Sequence, residues 1–214
     1  MLFSNPTVAN YINENFEASW ESVRPVPRVT IDFGNGNVIN RTLHGNVATY
    51  ICNSNQSVVD ILPGVYTADV YVEQLKLIRS VAKPELIDVL PSIVEIKGAS
   101  TETHVERYHR TKIEAIENQN KLLDSTIEPM QAGSVSADTD ADSADQKLAR
   151  NLVIDTKTNE QQRRRQVHRH LLAYGAKTPA EIKTWLYREV LHADLEDPFL
   201  GLKPVLFDNY PFDD

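Results

Sequence analysis

The densest group of side chains that could do chemistry is the run RRRQVHRH in the last third of the chain. Its cationic or titratable members are Arg163, Arg164, Arg165, His168, Arg169 and His170. Such a group can bind phosphates or an acidic partner. On a helix, however, these side chains point to more than one face, and no aromatic residues alternate with them to stack on bases. The pattern favours a charged surface helix, and the first five residues are the candidate set for binding a partner.

A second candidate is the acidic run DTDADSAD, in which Asp138, Asp140 and Asp142 have the alternate spacing of a calcium-binding loop. Such a loop needs a glycine for its sharp turn, where this chain has Ser143. It also needs a bidentate glutamate, where this chain has Ala149. We therefore interpret the run as a solvated acidic linker and predict no metal site there.

Glu189 and His192 form an E-x-x-H pair. This spacing places both side chains on one face of a helix, as carboxylate-bridged metal sites require. Those sites need the motif twice together with further carboxylates, and the sequence shows one copy. We favour a salt-linked or capping role near a helix C-terminus.

Nucleophilic and redox chemistry has little support in the sequence. The single cysteine, Cys52, excludes an internal disulfide and a metal site made only of cysteines within one chain. Neither a G-x-S-x-G nucleophile motif nor a phosphate-binding G-x-x-x-x-G-K motif occurs. We predict no catalytic residue and no cofactor.

Chain length and net charge limit the number of domains and the classes of function that the sequence can support. The 214 residues, 41% of them hydrophobic, can form one core and at most a small second unit. A formal net charge of -8 disfavours nucleic-acid binding, so we expect a protein partner. No apolar run is long enough to span a bilayer, which predicts no membrane association. Localisation stays open: cytoplasmic if Met1 is the true start, exported if a signal segment is missing upstream.

The elements that position these residues follow from short-range patterns. Asn5 as N-cap and Pro6 at the first helical position predict a short helix with Val8 on its buried face. The alternating runs RVTIDF and VINRTL, separated by GNGN, predict a hairpin. VATYIC and SVVDIL, joined by NSNQ, predict a second antiparallel pair. A helix over about residues 68–80 follows, with Thr67 as its N-cap.

This order of elements, together with the amino-acid sequence of two segments, resembles part of the thioredoxin-like family. LFSNPTVANYINENFEASWESV is similar to the segment that follows the Trp-Cys-x-x-Cys motif and its helix in single-domain bacterial members. GNVATYICNSNQSVVDILPGVYTADVYVEQL is similar to the end of the same fold, from the strand after the cis-proline to the closing helix. The resemblance covers roughly residues 2–80. It implies an incomplete thioredoxin-like sheet-and-helix domain.

The same resemblance implies that the family's chemistry is missing. A thioredoxin reaction needs a low-pKa thiolate and a second thiol to resolve the mixed disulfide, and this chain has no C-x-x-C. Val47 or a neighbour stands at the cis-proline position, and Cys52 aligns with an interior strand, which implies a buried small hydrophobic residue. The resemblance also implies that the given chain begins after the strands that the family places before its redox helix. We expect RVTIDF and VINRTL to fill the gap in the sheet. The alternative is that a second chain covers it, and the oligomeric state stays open.

The second half of the chain is predicted to be mainly helical. Helices are expected over about residues 100–126, 159–174 and 179–192. Capping boxes mark the last two, at Thr158 with Gln161 and at Thr178 with Glu181. IEPMQAGSVSADTDADSADQ is typical of a mobile linker. The final DPFLGLKPVLFDNYPFDD is rich in aromatic residues and proline and is expected to lie extended over a surface.

We therefore predict an α/β protein, with an incomplete thioredoxin-like domain and a mostly helical C-terminal extension. The predicted thioredoxin-like domain covers residues 1–83, and a connecting segment with a long helix covers residues 84–126. A flexible linker follows over residues 127–146, and a helical region with an extended tail covers residues 147–214. The expected function is non-catalytic protein binding or scaffolding. The alternative is a fragment of a thiol-disulfide oxidoreductase whose redox motif lies upstream. A basic helix that docks on nucleic acid is a third possibility, which the overall charge disfavours.

Overall fold

The computed structural model describes residues 2–26, 28–42, 47–82, 103–126, 144–175 and 177–201. Its strands are β1 (Arg28–Asp32), β2 (Val38–Thr42), β3 (Ala48–Cys52) and β4 (Val58–Pro63). Its α-helices are α1 (Pro6–Asn15), α2 (Ala68–Ala82), α3 (His104–Thr126), α4 (Ala144–Thr158), α5 (Arg164–Tyr174) and α6 (Pro179–Trp185). A 3-10 helix covers Leu2–Ser4, and π-helical segments cover Asn159–Arg163 and Leu186–Val190. These elements confirm the coarse α/β class.

Helix α1 begins as the sequence predicts. The Asn5 side chain accepts hydrogen bonds from the backbone N–H of Thr7 at 2.9 Å and of Val8 at 3.4 Å. Pro6 lies in the first turn. The two bonds satisfy N–H groups that a helix start leaves without an intrahelical partner. Val8 is fully buried and packs α1 into the same core as α2.

The four strands form two separate hairpins. β1 pairs antiparallel with β2, and β3 pairs antiparallel with β4. Both hairpins are confirmed predictions, and Gly34 and Gly36 have the positive φ angles expected in the first turn, 71° and 86°. The expectation that the first hairpin would complete the sheet of the second is wrong, because no strand pairing joins the two sheets within the described residues.

The first hairpin buries little of its apolar surface. Ile31, Phe33 and Val38 are all exposed. A side-chain hydrogen bond of 2.6 Å between Thr30 and Asn40 links the two strands. Helices cover the second hairpin on both sides, so the apolar residues of β1 and β2 are not drawn into its core.

The hairpin β3–β4 lies between two hydrophobic cores. On one side, Ile51, Val59 and Leu62 pack with residues of α1 and α2. On the other side, Val58 and Ile61 pack with residues of α5, α6 and the last π-helical segment. Every residue of β4 is buried. The predicted C-terminal region therefore packs directly on a strand of the predicted N-terminal domain, while the domain boundaries themselves stay a prediction.

Helices α4 and α5 form one continuous helical run through the intervening π-helical segment. Thr158, predicted to start a helix, has helical φ and ψ angles of -61° and -43° and makes no capping hydrogen bond with its side chain. The capping prediction is wrong there because residues from Ala144 onward already form a helix, so the next N–H groups face carbonyls of the preceding turn. Thr178 does cap α6 together with Glu181, whose carboxylate accepts bonds of 2.8 Å from the Thr178 N–H and hydroxyl.

Helix α3 confirms the long charged helix predicted before the linker. Its Tyr108 is buried, Val105 and Ile113 are half-buried, and the helix packs along α5. Most of the predicted linker and all of the predicted tail beyond residue 201 lie outside the described residues, and α4 already includes residues 144–146. None of the helices in the described part of the chain has the length and apolar character needed to cross a membrane.

Candidate functional site

Asp60 places a carboxylate in the middle of the buried strand β4. Its side chain is fully buried, so each oxygen needs hydrogen-bond donors to replace water. Oδ1 accepts from the backbone N–H of Ile61 at 2.8 Å. Oδ2 accepts from the Tyr108 hydroxyl and from Arg164 Nη2, both at 2.6 Å. Three elements, β4, α3 and α5, thus meet at one carboxylate.

Arg164, the first residue of α5, balances the charge of Asp60. It is 1% exposed, and its Nη2 also donates to the Tyr108 hydroxyl at 3.0 Å. Burial is the largest influence on the guanidinium and opposes its charge, but Asp60 together with Tyr108, Glu160 and Tyr66 outweighs burial and raises the pKa of Arg164. Burial is likewise the largest influence on the carboxylate, but Arg164, the two histidines and the Tyr108 hydrogen bond together outweigh it and keep the pKa of Asp60 below its usual value. The two residues therefore form a buried ion pair.

Two histidines extend this ion pair into a row of contacting side chains. His168 Nε2 lies 3.3 Å from Arg164 Nη2, one helical turn away on α5. His168 Nδ1 lies 2.9 Å from His109 Nδ1 on α3 and 3.8 Å from Asp60 Oδ1. The Tyr108 and His168 rings meet edge to face, with 5.6 Å between their centroids. We name Asp60, Tyr108, His109, Arg164 and His168 the central cluster.

The contacts of the two histidine rings favour one arrangement of hydrogens. Arginine side chains only donate hydrogen bonds, so His168 Nε2 can bond to Arg164 only as an acceptor, sharing the two Nη2 hydrogens with Asp60 and Tyr108. A neutral imidazole carries one hydrogen, which then lies on His168 Nδ1 and is donated to His109 Nδ1. His109 consequently carries its own hydrogen on Nε2. Adding a proton to either ring would place two donors against each other in at least one of these contacts.

The environment of the rings also favours their neutral form. Burial lowers the pKa of His168 well below its usual value, and the nearby Arg164 lowers it further against the opposing effect of Asp60. Burial lowers the pKa of His109 as well, with Asp60 and Arg164 again acting in opposite directions. Neutral rings at pH 7 agree with the arrangement of hydrogens that the contacts favour.

Asp60, His109 and His168 also have ligand atoms within 4.8 Å of one another, as a metal ion requires. A histidine that binds a metal through one nitrogen normally donates the other N–H to an acceptor, but the other nitrogen of His168 faces the Arg164 guanidinium. The charge of Asp60 is already balanced by Arg164, so a divalent cation would bring uncompensated positive charge into a buried site. The cluster therefore fits a hydrogen-bonded network better than a metal centre.

Glu160 and Lys112 stand at the border of the central cluster. Glu160 Oε1 lies 3.8 Å from Arg164 Nε, and its other oxygen accepts from Gln74 Nε2 at 3.0 Å. Burial raises the pKa of Glu160, although Arg164 and Lys112 oppose the shift. Burial lowers the pKa of Lys112, and Arg164 reinforces that shift. Lys112 Nζ lies 5.9 Å from the centroid of the Tyr108 ring. A second acid and a second base thus flank the buried ion pair.

The π-helical segment before α5 holds the loop that follows β4. The buried Asn159 side chain donates to the Val65 carbonyl at 2.7 Å and accepts from Arg163 Nη1 at 2.7 Å. Thr156, near the end of α4, accepts at its Oγ1 from the backbone N–H of Thr67 at 2.9 Å. The loop from β4 to α2 is thereby fixed to the same helical run that carries the arginine of the central cluster.

Gly64 lies directly against this segment. Its φ angle is +84°, and a Cβ atom at this position would lie 2.8 Å from Asn159 Nδ2 and 3.0 Å from Arg163 Nη1. A side chain here would take an unfavourable backbone conformation and would also collide with Asn159. The close approach of loop and helix therefore requires glycine.

The structure separates the basic residues that the sequence places side by side. Arg164 and His168 are buried in the central cluster, so neither contributes to an exposed cationic surface. Arg169 is exposed and pairs with Glu117 on α3. The expectation of a charged surface helix is therefore corrected, because one face of α5 lies in the interior of the protein.

The other members of the run lie at the edges of the interior. Arg163 is half-buried and donates to Asn159, and Arg165 is also half-buried. The His170 ring stacks on the Trp185 ring with 3.7 Å between the centroids. Partner binding by the accessible members of the run stays a prediction.

The remaining candidates are placed apart from the central cluster. Glu189 pairs with its neighbour Arg188 at 3.0 Å, and the exposed His192 follows the helix with a φ of 51°. Cys52 is half-buried against the second core, less than the full burial predicted, and burial raises the pKa of its thiol. The acidic run with Asp138, Asp140 and Asp142 lies outside the described residues.

The residues that the sequence analysis did not select as site members are Asp60, Tyr108 and His109. The sequence could have identified Asp60, because an acidic residue inside the apolar strand VVDIL needs a hydrogen-bond or charge partner if the strand is buried. Tyr108 and His109 lie on a charged helix, where their types give no such indication. Which positive residue would meet Asp60 depends on contacts across the fold.

Comparisons with protein-family models, with curated proteins and with solved structures give no match for this chain. The resemblance to the thioredoxin-like family therefore stays a prediction. The geometry of the described residues is therefore the basis for any function proposed for this chain.

Proposed function

We propose that this chain is a non-catalytic protein-binding or scaffolding module whose N-terminal part is an incomplete thioredoxin-like domain. The observation that carries the binding part is the β1–β2 hairpin, which presents large apolar side chains to solvent on a two-stranded sheet. The burial of the central cluster supports the non-catalytic part.

A two-stranded hairpin is at best marginally stable in water unless something packs on it. Ile31 and Phe33 lie two residues apart and so share one face, where they are 46% and 58% exposed. Val38 on the neighbouring strand is 50% exposed but pairs with Asp32, so it lies on the opposite face of the sheet. Covering apolar side chains gains about 25 cal/mol per Å² of apolar area. A partner that packs on Ile31 and Phe33, the hairpin surface, would therefore stabilise the hairpin.

The hairpin also offers backbone groups to a partner. Within the described residues β1 and β2 pair only with each other, so each has an outer edge at which another strand can form hydrogen bonds. Trp20, in the segment that precedes β1, is 89% exposed and is the kind of aromatic residue that often anchors an interface. An extended protein segment with alternating apolar residues fits these features.

The non-catalytic part rests on accessibility. Asp60, Arg164 and His168 are the charged or titratable residues that could act on a substrate, and all three are buried, with Arg164 in contact with both of the others. A substrate has no access to them in this arrangement. The raised pKa of the Cys52 thiol also disfavours the thiolate that disulfide exchange requires.

The thioredoxin-like part of the proposal is supported by element order. The antiparallel hairpin β3–β4 is followed by α2, as the resemblance implies for the end of that fold. Helix α1 packs with α2 in one core beside this hairpin. The C-terminal helices that pack on the other side of β4 are the addition to that arrangement.

Site-specific photo-cross-linking tests the binding function. A photoreactive residue in place of Phe33 is expected to capture one defined protein from an extract of the source cells. The matched control is a photoreactive residue in place of Ile154, which is also exposed but lies on α4. The captured protein, once purified, is expected to bind Ile31→Ser at least about fivefold more weakly, since losing an interface anchor costs more than about 1 kcal/mol. Equal capture at both positions, or unchanged affinity of Ile31→Ser, would rule out the hairpin surface.

A further inference from the structure

We propose that the central cluster is an acid-sensitive lock, which holds α3 and α5 on strand β4 only while His109 and His168 are both neutral. The proposal does not depend on what binds the hairpin surface. It rests on the donor and acceptor geometry of the contacts between the two rings and Arg164.

Three contacts of the lock join different elements. Arg164 joins α5 to Asp60 on β4 at 2.6 Å, and Tyr108 joins α3 to the same carboxylate at 2.6 Å. The bond of 2.9 Å between His109 and His168 joins α3 to α5 directly. All five residues of the cluster are buried. A change that breaks these bonds therefore loosens the contact of three elements at once.

The groups that face the two rings disfavour a positive charge on either of them. On α5 the neighbour is Arg164, and α3 contributes Tyr108 and Lys112. Strand β4 contributes Asp60, whose charge is already shared with Arg164 and Tyr108. Glu160, in the π-helical segment, lies against Arg164. Asp60 is thus the negative group nearest the rings, and it already has a cationic partner.

Protonation of a ring is therefore compatible only with its departure from the cluster. A doubly protonated His168 would turn an N–H toward the Arg164 guanidinium, 3.3 Å away. A doubly protonated His109 would turn an N–H toward the N–H of His168, 2.9 Å away. A shift of the His168 hydrogen to Nε2 would relieve the second conflict but create the first. In the closed cluster, a proton added to either ring therefore places two N–H groups against each other or an N–H group against the Arg164 guanidinium.

The direction of the pH effect follows from this. In the opened or unfolded chain a free histidine has a pKa of about 6.5, whereas both rings have lowered pKa values in the folded chain. The open state takes up protons as pH falls below about 6.5, so acid favours opening. Well below that pH, the unfolding equilibrium constant rises by up to about tenfold per pH unit for each histidine. Above about pH 7.5 the cluster contributes no pH dependence.

Nuclear magnetic resonance of the full chain with ¹⁵N-labelled histidines tests the hydrogen arrangement without any substitution. At pH 7.5 we expect His168 to carry its hydrogen on Nδ1 and His109 to carry its hydrogen on Nε2. At pH 5.5 both rings are expected to remain neutral in the folded chain. A folded chain with either ring protonated, or with the hydrogen of His168 on Nε2, would overturn the lock. A shift of both Nδ1 signals on addition of Zn²⁺ would replace the lock with a metal site.

Urea unfolding between pH 8 and pH 5.5 tests the consequence for stability. His168→Gln is expected to reduce the pH dependence by about one proton, because glutamine keeps an acceptor for Arg164 but does not titrate. His104→Gln is the matched control, since it removes an exposed histidine of α3 that is not part of the central cluster. Equal pH dependence in the wild type and His168→Gln would overturn the proposal.

Glu160 acts in the opposite direction and needs its own control. Its raised pKa means that the folded chain takes up this proton before the unfolded chain does, so acid favours the folded state through Glu160. We therefore expect Glu160→Gln to show a steeper loss of stability on acidification than the wild type. A shallower loss in Glu160→Gln would contradict this balance of titrating groups.

Discussion

Arg164 Nη2 lies 2.6 Å from Asp60 Oδ2, and the side chains of both residues are buried. They stand 104 positions apart in the chain, one at the start of α5 and the other in the middle of β4. Because both side chains are buried, water cannot replace either one as the hydrogen-bond partner of the other. Removal of one member therefore leaves an uncompensated charge in the interior, which is far more costly than the loss of an exposed ion pair.

Arg164→Met is expected to lower the free energy of unfolding by about 3–5 kcal/mol, because it leaves the Asp60 carboxylate buried without its counter-charge. Urea denaturation at pH 7.5 measures the change. Arg169→Met is the matched control, since it removes a solvent-exposed arginine that pairs with Glu117 on the same helical run. We expect that variant to lose less than about 1 kcal/mol. Similar losses of unfolding free energy in both variants would show that the buried ion pair stabilises the fold no more than the exposed pair does.

The double variant Asp60→Leu with Arg164→Met tests the coupling of the two charges. With neither charge present, the penalty for an unpaired buried group disappears, so the double variant is expected to be more stable than Arg164→Met alone. The same denaturation experiment measures it. Additive losses from the two substitutions would mean that the residues act independently.

Gly64→Ala is expected to lower the free energy of unfolding by about 2 kcal/mol or more, since it combines an unfavourable positive φ with a collision. The Asn159 side chain that it meets is held by hydrogen bonds to Val65 and Arg163, so it cannot move aside without cost. Gly34→Ala is the control, because its φ is also positive, at 71°, but no atom of the described residues lies within 4 Å of the added atom. A loss as small as that of Gly34→Ala would show that the loop and helix can separate easily.

Thr178→Ala is expected to destabilise the protein by about 1 kcal/mol, the usual loss for a helix N-cap. Thr158→Ala should change stability by no more than about 0.5 kcal/mol, because Thr158 lies inside a helical run and makes no cap. Thermal unfolding monitored by circular dichroism compares the two variants. The reverse order of stability would contradict the helix boundaries described above.

The purified chain is expected not to accelerate the reduction of insulin disulfides by dithiothreitol. Its single cysteine has no resolving partner in the chain, and burial raises the pKa of the thiol, which disfavours the reactive thiolate. The turbidity of precipitating insulin chains measures the rate. An acceleration that disappears in Cys52→Ser would refute the non-catalytic function.

The sequence by itself determined the elements whose causes are local. Asn5 and Pro6 mark the start of α1, and the glycines between β1 and β2 mark their turn. Thr178 and Glu181 mark the start of α6 in the same way. Each of these signals acts between residues a few positions apart, so it can be read without knowledge of the fold. The long charged helix α3 and the hairpin β3–β4 follow from periodicity for the same reason.

Only the tertiary structure decided which side chains of RRRQVHRH face inward. The sequence places five basic residues and His170 on one helix, but the rotation of that helix against β4 selects Arg164 and His168 for the interior. That rotation is set by packing of apolar residues on α5 against Val58 and Ile61, more than a hundred positions away. Contacts over such distances leave no periodic trace in the sequence. The sequence therefore supplied the charged groups, while the packing of α5 on β4 joined them to Asp60 and made them a buried cluster.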